Sequence, residues 1–123
     1  FGYEKLNLVN EMDSEALDFF NKKQYLEASE VWEDLIKIKT DVAYYLNLIQ
    51  TLIIIGENEK VEYYINEIEN KNLYIGTGKF DYLKALYYQK NENIKKACES
   101  FKVSFEKGYD VSKSFLDYNN CFN

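Results

Sequence analysis

A chain of 123 residues with 46% hydrophobic and 29% charged residues has the length of one domain with its own apolar core, which needs no metal or disulfide to fold. It contains no proline, no histidine and only 5 glycines. This leaves long helices unbroken, gives little support to a many-turned all-β fold, and removes imidazole from any acid–base or metal-binding role. Its net charge of -6, with 15 basic residues that are all lysine, argues against a nucleic-acid partner, because phosphate and guanine contacts favour the guanidinium fork.

Chain order begins at Phe1 rather than methionine, so the sequence reads as a processed product or a segment of a longer protein. Location, in the cytoplasm or on the exported side of a bacterial membrane, is expected to follow from the upstream sequence. The Lys, Asn, Ile and Tyr bias suggests an AT-rich bacterial genome.

The first apolar stripe, Met12, Ala16, Phe19 and Phe20, has helical spacing and stops at the polar break Asn21 to Gln24. Ala28, Val31, Trp32, Leu35 and Ile36 predict a second helix, with Trp32 in the core. After Lys39, Thr40 and Asp41 comes a third, carried by Leu46, Ile49, Leu52 and Ile53. Its apolar run from Val42 to Ile55 is interrupted by Asn47 and Gln50 and is too short to span a bilayer, so no membrane span is expected. Beyond the break Gly56 to Asn58, the stripe Val61, Tyr64, Ile65 and Ile68 predicts a fourth helix. Asn70 to Gly78 reads as a loop in which Gly76, Thr77 and Gly78 connect and cap, without the strand and lysine motif of a phosphate-binding loop.

Tyr82, Ala85, Leu86 and Tyr88 predict the fifth helix, and Ala97, Phe101, Ser104 and Phe105 the sixth, separated by the break Lys90 to Asn93. Asparagines in these breaks suit helix caps, and Gly108 suits a left-handed C-cap. Residues 112–122 predict a seventh helix, with Phe115, Leu116 and Tyr118 covering the last pair or opening a fourth repeat. Cys98 and Cys121 fit no metal-knuckle spacing. They are expected to be small packed residues, with a single disulfide between two helices as the alternative.

One pattern recurs: a small residue followed four positions later by a large one. It is seen in Ala28 and Trp32, Val61 and Ile65, and Ala97 and Phe101, with the anchors 33 and then 36 residues apart. Upstream helices carry Ala16 and Phe19, Ile49 and Leu52, and Ala85 and Tyr88. These residues resemble the tetratricopeptide repeat family. The resemblance implies an all-α fold, an α-α superhelix (a solenoid of that repeat type) of about seven antiparallel helices. It would form a single domain over 1–123, with repeats 9–41, 42–77 and 78–110 and a terminal helix 112–122. Repeat two departs from the pattern with Ile49 and Val61 at small-residue positions, no repeat ends in proline, and the first helices mostly lack the family's tryptophan, leucine and glycine.

In that family the first helices line a concave groove for a partner's extended or helical segment. The resemblance therefore implies partner-binding positions at Leu17, Phe20, Asn47, Gln50, Ile54, Lys79, Tyr82 and Leu86, with Asp13 and Gln89 beside them. A clamp for acidic chaperone tails is disfavoured: Asn47 and Lys79 fit its pattern, but Asp13, Leu17 and Leu83 occupy the other slots. An apolar or amphipathic protein segment with basic flanks is expected instead. The adjacent pairs Tyr44 and Tyr45, Tyr63 and Tyr64, and Tyr87 and Tyr88 place one ring inward and the next about 100° away, either as an interface anchor or at the edge of the core. No nucleophile, base and electrophile set can be assembled, so neither catalysis, cofactor nor metal is expected. The function expected is a protein interaction module or scaffold for complex assembly, with structural homo-oligomerisation in a larger protein as the alternative.

Overall fold

A computed structural model describes residues 2–73 and 76–121. The protein is all-α, and the described residues form seven helices: α1 (Gly2–Asn21), α2 (Tyr25–Ile38), α3 (Val42–Ile55), α4 (Asn58–Asn70), α5 (Lys79–Lys90), α6 (Ile94–Glu106) and α7 (Ser112–Tyr118). They make two compact units, Phe1–Leu73 and Tyr74–Asn123, divided within the connection expected from Asn70 to Gly78. Part of that connection, Tyr74 and Ile75, lies outside the described residues, as do Phe1, Phe122 and Asn123.

Within each unit, consecutive helices pack on one another, α1 on α2, α2 on α3 and α3 on α4 in the first, α5 on α6 and α6 on α7 in the second. Short connections reverse the chain at each step, so neighbours run antiparallel as in a helical solenoid. No described helix is long and apolar enough to cross a membrane.

Six of the helices end in the same way. A residue with positive φ follows the last turn, and two backbone bonds reach back across it, as in Lys23 N–H to Phe20 O (3.0 Å) and Gln24 N–H to Phe19 O (2.8 Å). Gly56, Asn72, Glu92, Gly108 and Asn120 repeat this arrangement after α3, α4, α5, α6 and α7. Helix starts are less uniform. Asp41 accepts from Ala43 N–H (2.9 Å) and Asn93 from Lys96 N–H (3.3 Å), whereas Asn58 is already helical.

The first helix reaches back to Gly2, seven residues ahead of the expected start of the first repeat. Val9 is fully buried and extends the stripe by a turn, and nothing upstream of it breaks a helix, with Glu4 placed favourably in the first turn. In the first unit Ala16 and Ala28 are buried where α1 and α2 pack, beside Trp32 and Leu35. Helix α3, packed between α2 and α4, buries Tyr45, Leu46, Leu48, Ile49, Thr51, Leu52 and Ile53, which accounts for its near-continuous apolar run. Thr51 satisfies its hydroxyl by donating to Asn47 O (2.7 Å), and Ser29 does the same to Leu26 O (2.7 Å).

The second unit is built on Ala85, Ala97, Phe101, Leu116 and Cys121, against which Tyr82, Leu86, Tyr88, Cys98 and Phe115 pack. Here the cysteines correct the sequence expectation of two small packed thiols, because Cys98 and Cys121 form a disulfide with Cα atoms 5.3 Å apart. Their separation of 23 residues carries no signal until α7 folds back on α6. Helix α7 is also shorter than expected. It stops at Tyr118, and the left-handed Asn120 turns the chain so that Cys121 N–H reaches Leu116 O (2.9 Å) and its sulfur meets Cys98. Closing a loop of this size contributes on the order of 3 kcal/mol to the folded state.

Candidate functional site

In the first unit α1 and α3 lie on either side of α2's Trp32, and their facing residues leave an open cleft of about 210 Å³ lined by Leu17, Phe20, Asn21, Trp32, Asn47 and Gln50. Helical spacing puts Leu17 and Phe20 on one face of α1 and Asn47 and Gln50 on one face of α3. The aromatic wall is fixed from behind. Phe20 meets Tyr25 edge-on at 5.2 Å and Trp32 at 6.1 Å, and the Trp32 indole N–H donates to the Asp13 carboxylate at 3.0 Å. Leu17 is 40% exposed and forms the apolar rim.

Opposite it, the side-chain amides of Asn47 and Gln50 have no hydrogen-bond partner among the described residues, although both are half-buried. Each offers a donor and an acceptor to whatever enters. Tyr44, on the same helix, has its phenol held above the usual range by burial and then by the negative charges of Asp13 and Asp41. The cleft therefore combines an apolar side, an amide side and nearby carboxylates.

The remaining expected positions are distributed differently. Ile54 is 42% exposed on α3 and does not line the cleft. Lys79 opens α5, its backbone N–H directed at the Thr77 hydroxyl (3.4 Å). Tyr82 and Leu86 pack against the core of the second unit. The Tyr82 ring lies among those of Tyr109 (5.0 Å), Phe115 (5.5 Å) and Phe101 (6.1 Å), and burial, then Tyr109, raises its pKa. Gln89 accepts from the Asn119 amide (3.2 Å) and lines a separate cleft of about 290 Å³ with Ser114, Phe115 and Tyr118. In that unit α7 covers the face on which the resemblance places a ligand.

The tyrosine pairs divide into inner and outer rings. Tyr45 and Tyr87 are buried. Tyr44, Tyr64 and Tyr88 are half-buried, and Tyr63 is 58% exposed. Tyr64 donates to Glu33 (2.7 Å), and burial together with that bond pushes its pKa well up. The Gly76 to Gly78 connector serves the fold: Gly78 O accepts from the buried Ser104 hydroxyl (2.7 Å), and Asp81 just beyond pairs with Lys107 (2.7 Å).

Sequence reasoning did not assign Asn21 and Trp32 to the cleft. Asn21 belonged to a turn and Trp32 to the core, and Trp32 is indeed buried while its edge forms the floor. Compared with protein-family models and with curated proteins, the chain matches none.

Proposed function

We propose that the protein is an interaction module of tetratricopeptide-repeat type, holding a segment of another protein in the cleft between α1 and α3 rather than catalysing a reaction. The observation that carries this reading is that Leu17, Phe20, Asn47 and Gln50, four of the positions the repeat resemblance implies, line one open cleft, where the two amides have no hydrogen-bond partner among the described residues. Apolar anchors of the incoming segment would rest on Leu17, Phe20 and the Trp32 edge, while Asn47 and Gln50 pair with its backbone. The Asp13 and Asp41 carboxylates near Tyr44 favour a segment with lysine or arginine beside its anchors.

The test is photo-crosslinking followed by titration. A photoreactive residue at Gln50 should trap a heterologous protein that is not trapped from Glu30, an exposed position on α2. Phe20→Ala and Asn47→Ala should then each weaken binding of that protein by about 1 to 2 kcal/mol in calorimetry, with little effect from Lys79→Ala. Equal trapping from both positions, or recovery of copies of this chain alone, would refute the cleft as a partner site.

A further inference from the structure

We propose that the Cys98–Cys121 disulfide is a redox latch that holds α7 as a removable cover over the apolar face of α5 and α6. Helix α7 has 7 residues, too few to persist without its contacts. Its hold on the unit is apolar in the middle and polar or covalent at the ends. Phe115 stacks on Phe101 (5.1 Å, 14° between planes) and meets Tyr82 edge-on, and Leu116 is fully buried. At the entrance Ser112 donates to Ser104 (2.8 Å), whose own hydroxyl donates to Gly78 O. At the exit Asn119 bonds Gln89, and Cys121 is tied to Cys98 on α6.

The exit is the weaker end once the covalent tie is removed. Asn120 already holds a left-handed conformation there, and the Asn119–Gln89 side-chain bond that reaches α5 is 3.2 Å long. Cys98 is half-buried and Cys121 buried, so Cys98 is the more reachable residue. A dithiol reductant would attack there as its thiolate, forming a mixed disulfide and releasing Cys121 as a thiolate that takes up a proton. The second thiol of the reductant then displaces Cys98. Two electrons pass to the cystine, and the reductant leaves as its own disulfide. Helix α7 then lifts from its C-terminal end and uncovers Tyr82, Leu86 and Phe101. This latch does not depend on what the cleft of the first unit binds.

Hydrogen exchange measured by mass spectrometry on the full chain tests it in three forms: oxidised, reduced with dithiothreitol, and Cys98→Ser with Cys121→Ser. Amides of residues 112–118 are expected to exchange roughly tenfold faster or more in the second and third forms. Those of α5 and α6 should stay protected, an apolar dye should bind more strongly, and reoxidation of the reduced form should reverse both changes. Unchanged protection of α7 in the reduced and serine forms would overturn the latch. So would loss of protection throughout α5, α6 and α7 together, since the disulfide would then be a staple of the whole unit.

Discussion

At the scale of single residues, small side chains and one glycine fix how closely the helices approach. Ala28 and Ala97 are fully buried, and enlarging either to leucine forces neighbouring backbone apart, at a cost of about 1 to 3 kcal/mol. Thermal melts of Ala28→Leu and Ala97→Leu should show that loss. Gly78 is constrained twice, by a φ of 84° and by Ser104 O, which would lie 2.6 Å from a β-carbon there. Gly78→Ala should cost roughly 1 to 3 kcal/mol by chemical denaturation, because neither the backbone angle nor a backbone oxygen can yield cheaply. Gly56 has φ 90° but open space around it, so Gly56→Ala should cost only the conformational part, about 1 kcal/mol. A larger loss at Gly56 than at Gly78 would contradict this ordering.

At the scale of helices, the recurring left-handed C-cap is occupied by Lys23 and Glu92 as well as by glycine and asparagine. Non-glycine residues cost about 1 kcal/mol in that conformation, so Lys23→Gly and Glu92→Gly should raise stability by about 0.5 to 1 kcal/mol in denaturant titrations. The helices themselves were legible because apolar spacing of three and four is a local property: Ala28, Trp32 and Leu35 mark a buried face whatever they pack against. The ends were less legible. A cap such as Lys23 has no compositional signature, and α1 runs on to Gly2 because nothing stops it rather than because a motif continues it. Half of the expected partner positions, Leu17, Phe20, Asn47 and Gln50, meet in one cleft because residues three apart share a face of α1 and of α3 on either side of Trp32. Tyr82 and Leu86 do not, since the fate of α5's face depends on where a later segment, α7, folds back. The disulfide was hidden for the same reason: two cysteines 23 residues apart become neighbours only through tertiary structure.

At the scale of the whole molecule, the chain has no histidine to titrate near neutrality, and among the described residues Tyr44, Tyr63, Tyr64, Lys71 and Tyr82, whose pKa values are raised, all ionise in alkali. Tyr44, Tyr64 and Tyr82 are raised with burial as the largest cause, Tyr63 by its hydrogen bond to Glu67, and Lys71 by its bond to Tyr45. A phenol whose folded pKa lies above its unfolded value of about 10 binds its proton more tightly in the native state. Its contribution to stability is therefore complete below pH ~10 and declines as the pH rises through the unfolded value towards the folded one. Lys71 acts with the same sign, since a raised ammonium pKa also favours the native state until the proton is lost. Stability should accordingly fall steeply above pH ~10 in both units, with Tyr64 the largest single contributor because its hydroxyl donates to the Glu33 carboxylate at 2.7 Å in a half-buried setting. Tyr64→Phe removes that donor at a cost of about 1 to 2 kcal/mol near neutral pH. It should also flatten the alkaline limb, so that parent and variant converge as pH rises. Denaturant midpoints measured from pH 7 to pH 11 check this, and a variant that stays below the parent by a constant margin over that range would show that Tyr64 keeps its proton no more tightly in the folded protein than in the unfolded chain.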